Sequence, residues 1–288
     1  MANKQPKIEK NEDKINDAFR MSKADKPSAE EEFQVHIIAP GIICDTDSRG
    51  HVTPQGRSPF EIVVDASEGF IPLWVKNTTL RWRFRKRSLS GFESPALAME
   101  EIRKLFGEAL LAWGDAAPVR FTEDDDVWDF EIVVKPADSC NPQGCVLASA
   151  FFPDAGRHEF VLYPKMFTQS RKEQVDTFIH ETGHVFGLRH FFANISEIQF
   201  PSEIFGTHSK FSIMNYGILS ELTDNDKSDL KRLYLLVWSG ALTAINGTPI
   251  RLVKPYNTLA STSDGILTFG QVSTPIQPQA SVAYISRM

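Results

Sequence analysis

Cysteine is scarce in this chain of 288 residues, with only Cys44, Cys140 and Cys145 present. Three thiols cannot all pair within one chain, so one must remain over. Cys140 and Cys145 flank the turn-forming stretch NPQG, so a small disulfide loop and two reduced thiols are both compatible with the sequence. With no second Cys/His pair nearby, their spacing leaves a zinc site two ligands short. Long apolar runs are also missing: none reaches 18 residues, which argues against a membrane span. Basic charge is not in excess, with 31 Lys and Arg against 37 Asp and Glu and a net charge of −6, so no field draws nucleic acid. The N-terminus, MANKQPKIEKNEDKINDAFRMSKADKPSAEEE, lacks the apolar stretch of a signal peptide. The chain is therefore expected to be cytosolic, exported by another route or trimmed of its signal.

What is present is enough apolar residue, 42%, to bury one large core. Residues 1–32 read as a polar, flexible arm. Residues 33–77 read as an N-terminal extension with short strands in FQVHIIAPGIIC and FEIVVDA. The main domain is placed at 78–240. It begins with the strand TLRWRF and a helix over SPALAMEEIRKLFGEALLAWG, with Ser94 as N-cap, Pro95 at the first position, and Leu97, Ile102, Leu105, Phe106, Ala109, Leu110 and Trp113 at helical spacing. Strand-like runs follow in VRFTE, DFEIVV, VLASAFF and EFVLY, and RKEQVDTFIHETGHVFG returns to helical spacing with Gly187 as its stop. A last helix is expected over LTDNDKSDLKRLYLLVW, where Thr223 and Asp226 form a capped start. Residues 241–288 are a C-terminal extension whose role the sequence leaves open.

Three of the seven histidines fall within eleven residues, HETGHVFGLRH at 180–190. On a helix, positions i and i+4 share a face, so His180 and His184 can direct ring nitrogens to one metal ion about 2.0 to 2.1 Å away. Gly187 allows a sharp turn that swings His190 back as a third ligand. Glu181 is displaced from the ligand face but can reach a water bound to that metal. Three ligands leave one position open, which distinguishes a catalytic zinc from a closed structural one. The alternative, ordinary surface or core histidines, suits a lone His better than this spacing.

H-E-x-x-H-x-x-G-x-x-H followed by a methionine turn is the metzincin signature. SIMNYG supplies that turn, with Met214 expected to pack beneath the three imidazoles. The chain thus resembles metzincin metalloendopeptidases. RWRF, the following helix, VRFTE, FEIVV, ASAFFPDAGRHEFVLY and DTFIHETGHVFGLRH resemble the matrixin (matrix metalloproteinase) catalytic domain in order and spacing, while SIMNYG resembles astacins and serralysins. The resemblance implies an α+β fold: a twisted, mostly parallel sheet of about five strands with an antiparallel edge strand, plus three helices. It extends to Tyr216 the oxyanion-stabilising role of the tyrosine after the methionine in astacins and serralysins.

Matrixins carry a second, structural zinc, but only His158 stands at a matching place and ASAFF has serine where they have histidine, so one catalytic zinc is expected. Asp138, Asp154 and Glu159 could bind calcium, although no calcium spacing is recognisable. The matrixin latency cysteine in PRCGxPD is missing. Cys44 in PGIICDTD echoes it: the preferred reading is a buried structural cysteine, the alternative a thiolate that occupies the open zinc position, and Asp45 or Asp47 could do the same.

The resulting expectation is a zinc-dependent endopeptidase acting on a protein or peptide, in which Glu181 is general base and the substrate lies antiparallel to the edge strand VLASAFF. A zinc hydrolase of non-protein amides and a narrow-specificity secreted effector are the alternatives. The resemblance favours secretion. Because imidazoles with unperturbed pKa near 6.5 must be neutral to bind metal, activity is expected to fall in mild acid.

Overall fold

The computed structural model describes residues 18–20, 36–39, 41–44, 62–65, 69–142, 144–190, 202–205, 212–214 and 220–257. Its central sheet has the order β10-β11-β7-β5-β6, built from β5 (Thr79–Phe84), β6 (Arg120–Glu123), β7 (Phe130–Val134), β10 (Ala148–Ser149) and β11 (His158–Leu162). β11, β7, β5 and β6 pair in parallel, and β10 closes one edge antiparallel to β11. Strand β5, TLRWRF, alternates as its sequence does: Leu80, Trp82 and Phe84 are buried while Thr79, Arg81 and Arg83 are half-buried. β7, between two parallel neighbours, is buried at four of its five positions, as expected of a parallel strand covered on both faces.

A parallel pair needs a crossover, and α1 (Pro95–Trp113) provides it between β5 and β6. Pro95 starts this helix, but Ser94 makes no side-chain cap bond because its backbone (φ −129, ψ 83) enters outside the usual extended capping geometry. Ile102, Leu105, Phe106, Ala109 and Trp113 are buried as the spacing predicts, whereas Leu97 faces outward at 38% exposure. Phe106 lies in an aromatic cluster with Trp82, Phe121, Phe130, Phe160 and Phe178, with ring centroids 5.4 to 6.4 Å apart. That cluster joins the sheet to α2 (Arg171–Val185), the helix that carries the first two histidines.

Among the described residues there are two further α-helix-bearing features of note: α2 itself begins with a complete capping box of Ser170 and Glu173, and α3 (Asp224–Trp238) begins with one of Thr223 and Asp226. The expected VLASAFF strand divides, since β9 (Gly144–Val146) belongs to a second sheet and only β10 stays in the first. In that second sheet β8 (Ser139–Asn141) and β9 form a hairpin joined by a Cys140–Cys145 disulfide, β2 (Gly41–Cys44) runs parallel to β9, and β1 (His36–Ala39) pairs with β2.

The residues after 240 return to the main body. β14 (Thr248–Val253) pairs with β13 (Ala244–Ile245) and lies parallel to β4 (Ile71–Trp74). β4 in turn touches the end of α2. The terminal carbonyls of a buried helix need partners, and here the Trp74 indole donates to the Val185 carbonyl at 2.7 Å while the Tyr234 hydroxyl donates to the Phe186 carbonyl at 3.0 Å. Burial raises the pKa of the Tyr234 phenol well above its ordinary value, so it remains a donor.

Candidate metal centre

The last two turns of α2 are buried on every side: Phe178, Ile179, His180, Glu181, Thr182, Gly183, His184 and Val185 are all buried. Burying two imidazoles and a carboxylate is costly without partners, and both histidines are partnered. His180 approaches the Ile213 carbonyl through Nδ1 at 2.8 Å, and His184 approaches the Leu188 carbonyl through Nδ1 at 2.8 Å. A carbonyl only accepts, so Nδ1 carries the proton in each and Nε2 of the neutral ring presents a lone pair.

After α2 the chain turns at Gly187, whose φ is +93°. That left-handed conformation favours glycine, and space does too, because an added Cβ would lie 3.1 Å from the Leu73 side chain and 3.4 Å from the Pro72 carbonyl. The chain then runs as β12 (Leu188–Arg189) against β3 (Ile62–Asp65). This pairing returns His190 to the helix, with its Nε2 at 3.0 Å from Nε2 of His180, which is itself 3.2 Å from Nε2 of His184. Lone pairs brought this close repel unless a cation or proton lies among them. Nitrogens bound tetrahedrally at 2.0 to 2.1 Å from one zinc stand about 3.3 Å apart, so this donor set fits zinc.

A fourth donor converges on the same point. Cys44, at the end of β2, is fully buried. Its Sγ lies 3.7 Å from Nε2 of His184 and 3.4 Å from Oε1 of Glu181, to which the thiol donates. The ligand atoms of Cys44, His180, His184 and His190 all fall within 4.8 Å of one another. A thiolate and an imidazole on one tetrahedral zinc would be about 3.6 Å apart. Cys44 is buried, as a structural cysteine is expected to be, and it also lies beside the three histidines. Nothing in GIIC reveals this, because the approach depends on β2 pairing with β9 about a hundred residues away, with Ile43 opposite Val146.

Met214 lies beneath the helix, buried, with its thioether against Gly183: a Cβ built there would come within 2.5 Å of the Met214 sulfur and 3.2 Å of its methyl carbon. Gly183 is the x before the second histidine of the motif, and its lack of a side chain is what lets the methionine approach. We expect Gly183→Ala to destabilise the protein by about 1 to 3 kcal/mol, the usual cost of overpacking. Thermal unfolding checks this, and an unchanged Tm would mean that Met214 moves aside freely.

The remaining sequence-derived candidates stand elsewhere. Tyr216, Asp45 and Asp47 lie outside the described residues. Asp138 accepts from the Lys165 backbone amide at 2.5 Å, Asp154 from that of Gly156 at 3.1 Å, and Glu159 pairs with Arg85 at 2.5 Å. Each is engaged within the protein, and they do not gather into a calcium site among the described residues. His158 stacks on Phe151 with ring centroids 4.4 Å apart.

Comparison with known proteins places the chain in a family. The family model described as Matrixin matches residues 73–234. Human stromelysin-3 is 34% identical over 105 residues, an alignment that covers 33% of this chain and 22% of that protein. The chain thus spans about a fifth of the length of this curated relative. The solved structure of myroilysin aligns over 60% of this chain and 98% of its own, at 13% identity and a TM-score of 0.40, too loose a likeness to carry an argument.

Proposed function

Because the chain belongs to the matrixin family, we propose that it is a zinc-dependent endopeptidase hydrolysing peptide bonds within proteins. The observation that supports this most is the convergence of three imidazole nitrogens beside a buried carboxylate. His180, His184 and His190 would hold zinc, which when bound supplies a Lewis acid that polarises the scissile carbonyl and acidifies a water.

The chain's own groups do the rest. Glu181 is the general base that takes the proton of the attacking water and passes it to the leaving amine. The Ile213 and Leu188 carbonyls hold the His180 and His184 rings in the tautomer that keeps Nε2 free. Tyr216, two residues after Met214, is assigned as a donor to the developing oxyanion. Tyr216→Phe is expected to lower kcat about 10²- to 10³-fold with KM little changed, as removal of such a donor typically does.

Cys44 supports a second, finer reading, in which the N-terminal extension holds the enzyme latent. Its thiol stands where the fourth donor would be, and β2 runs along β9, whose last residue Val146 begins the VLASAFF stretch proposed to take an extended substrate. Cys44→Ala should then cleave a quenched peptide at once, where the wild-type chain is expected to show a lag. Equal progress curves for the two proteins would refute latency by this contact.

The test of the main reading is metal content together with cleavage of a quenched peptide library, for the full chain and for its Cys44→Ala variant. About one zinc per chain with endoproteolysis supports it. Zinc with hydrolysis of small amides alone would favour the non-protein hydrolase, and cleavage of one protein but not of casein would favour the narrow-specificity effector. Secretion is proposed on family grounds and is checked by locating the protein.

A further inference from the structure

The orientation of His180 depends on the Ile213 carbonyl, so whatever fixes the turn at residues 212–214 also fixes a candidate ligand. Asp226, in the first turn of α3, is only 2% exposed. Its carboxylate accepts from the Thr223 amide at 2.9 Å and from the Thr223 hydroxyl at 2.7 Å, which is the capping box. It also accepts from the Ser212 hydroxyl and the Ile213 amide. The Ser212 oxygen in turn accepts from the Met214 amide at 3.1 Å. One buried carboxylate thereby ties the start of α3 to all three residues of the turn.

The chain contains its own control for what a capping box requires. At the start of α2, Glu173 caps Ser170 in the same reciprocal way, bonding the Ser170 amide at 2.9 Å and its hydroxyl at 2.8 Å, and that site is exposed. Capping alone therefore needs no burial. Burial of Asp226 disfavours its charged form and raises its pKa, and the four donors act against that cost. The buried box differs from the exposed one by its two bonds to the turn at Ser212 and Ile213.

We propose that Asp226 is a positioning residue of the metal centre: it clasps the turn at 212–214 so that the Ile213 carbonyl meets Nδ1 of His180 and the Met214 side chain stays under Gly183. This rests on the zinc reading above. Partners of metal-bound histidines typically contribute 10- to 100-fold in metal affinity, and Asp226 acts one bond further out, through the peptide of Ile213.

The two sides of Asp226 can be separated by substitution. Ser212→Ala removes a donor on the turn side, Thr223→Ala removes the cap side, and Asp226→Asn weakens both. Zinc affinity of the full chain would be measured by competition with a chromophoric chelator, alongside the visible spectrum of the cobalt-substituted protein and Tm. We expect Ser212→Ala and Asp226→Asn to lose about tenfold or more in zinc affinity and to shift the cobalt spectrum. Thr223→Ala should lower Tm while keeping both metal readouts. Wild-type zinc affinity and spectrum in Ser212→Ala and Asp226→Asn would overturn the proposal, as would equal loss of affinity in all three variants, which would indicate a purely structural role. A wild-type chain that takes up no zinc would instead overturn the zinc reading itself.

Discussion

Glu181→Ala is expected to lower kcat by about 10⁴-fold, the upper end of what a general base contributes, while zinc remains bound. The upper end is chosen because, among the described residues, the cluster beside Glu181 consists of Cys44, His180, His184 and His190 and holds no carboxylate that could take over. Zinc should remain because Glu181 is not needed to complete the three-nitrogen set. The measurement is steady-state cleavage of a peptide together with metal analysis, with the substitution made in both the full chain and its Cys44→Ala variant. Turnover within tenfold of wild type would remove Glu181 from the mechanism. Loss of zinc along with activity would make it a ligand or an essential support for one.

His184→Ala should act on the metal itself. His184 is fully buried, holds Leu188 O through one nitrogen and faces the other donors through the other. Its removal leaves two histidines and empties part of the core. Zinc should fall from about one per chain to well below that after dialysis, and hydrolysis should stop. A ligand that binds only the folded state stabilises it by about 4 kcal/mol when its free concentration is about 1,000 times Kd. The wild-type Tm should therefore drop on addition of a strong chelator, and that of His184→Ala should begin low and not respond. A wild-type Tm indifferent to chelator would mean that no metal stabilises this fold.

Much of the site was legible because it is local. The interval of four between His180 and His184 fixes their shared face by helical geometry alone, and Gly187 marks the break because φ of +93° favours a residue without Cβ. The capping box at Thr223 was equally readable, since it is closed by residues three apart. Ser94 shows the limit of such signals: its chemistry suits a cap, yet the incoming chain direction denies it the bond. Leu97 shows another, because helical periodicity identifies a face without saying how wide the covering sheet is.

The sequence by itself determined the helix bearing two histidines, the turn after it and the glutamate beside them, because each follows from spacing along one continuous segment; the class of sheet came only with the resemblance that those residues carry. Only the tertiary structure decided that Cys44 meets His184, that Trp74 and Tyr234 close the end of α2, and that Asp226 ties the methionine turn to α3. These contacts join residues whose separation in the chain carries no periodic signal. Strand pairing and the packing of whole elements bring them together, and the burial of polar groups there then makes each hydrogen bond costly to lose.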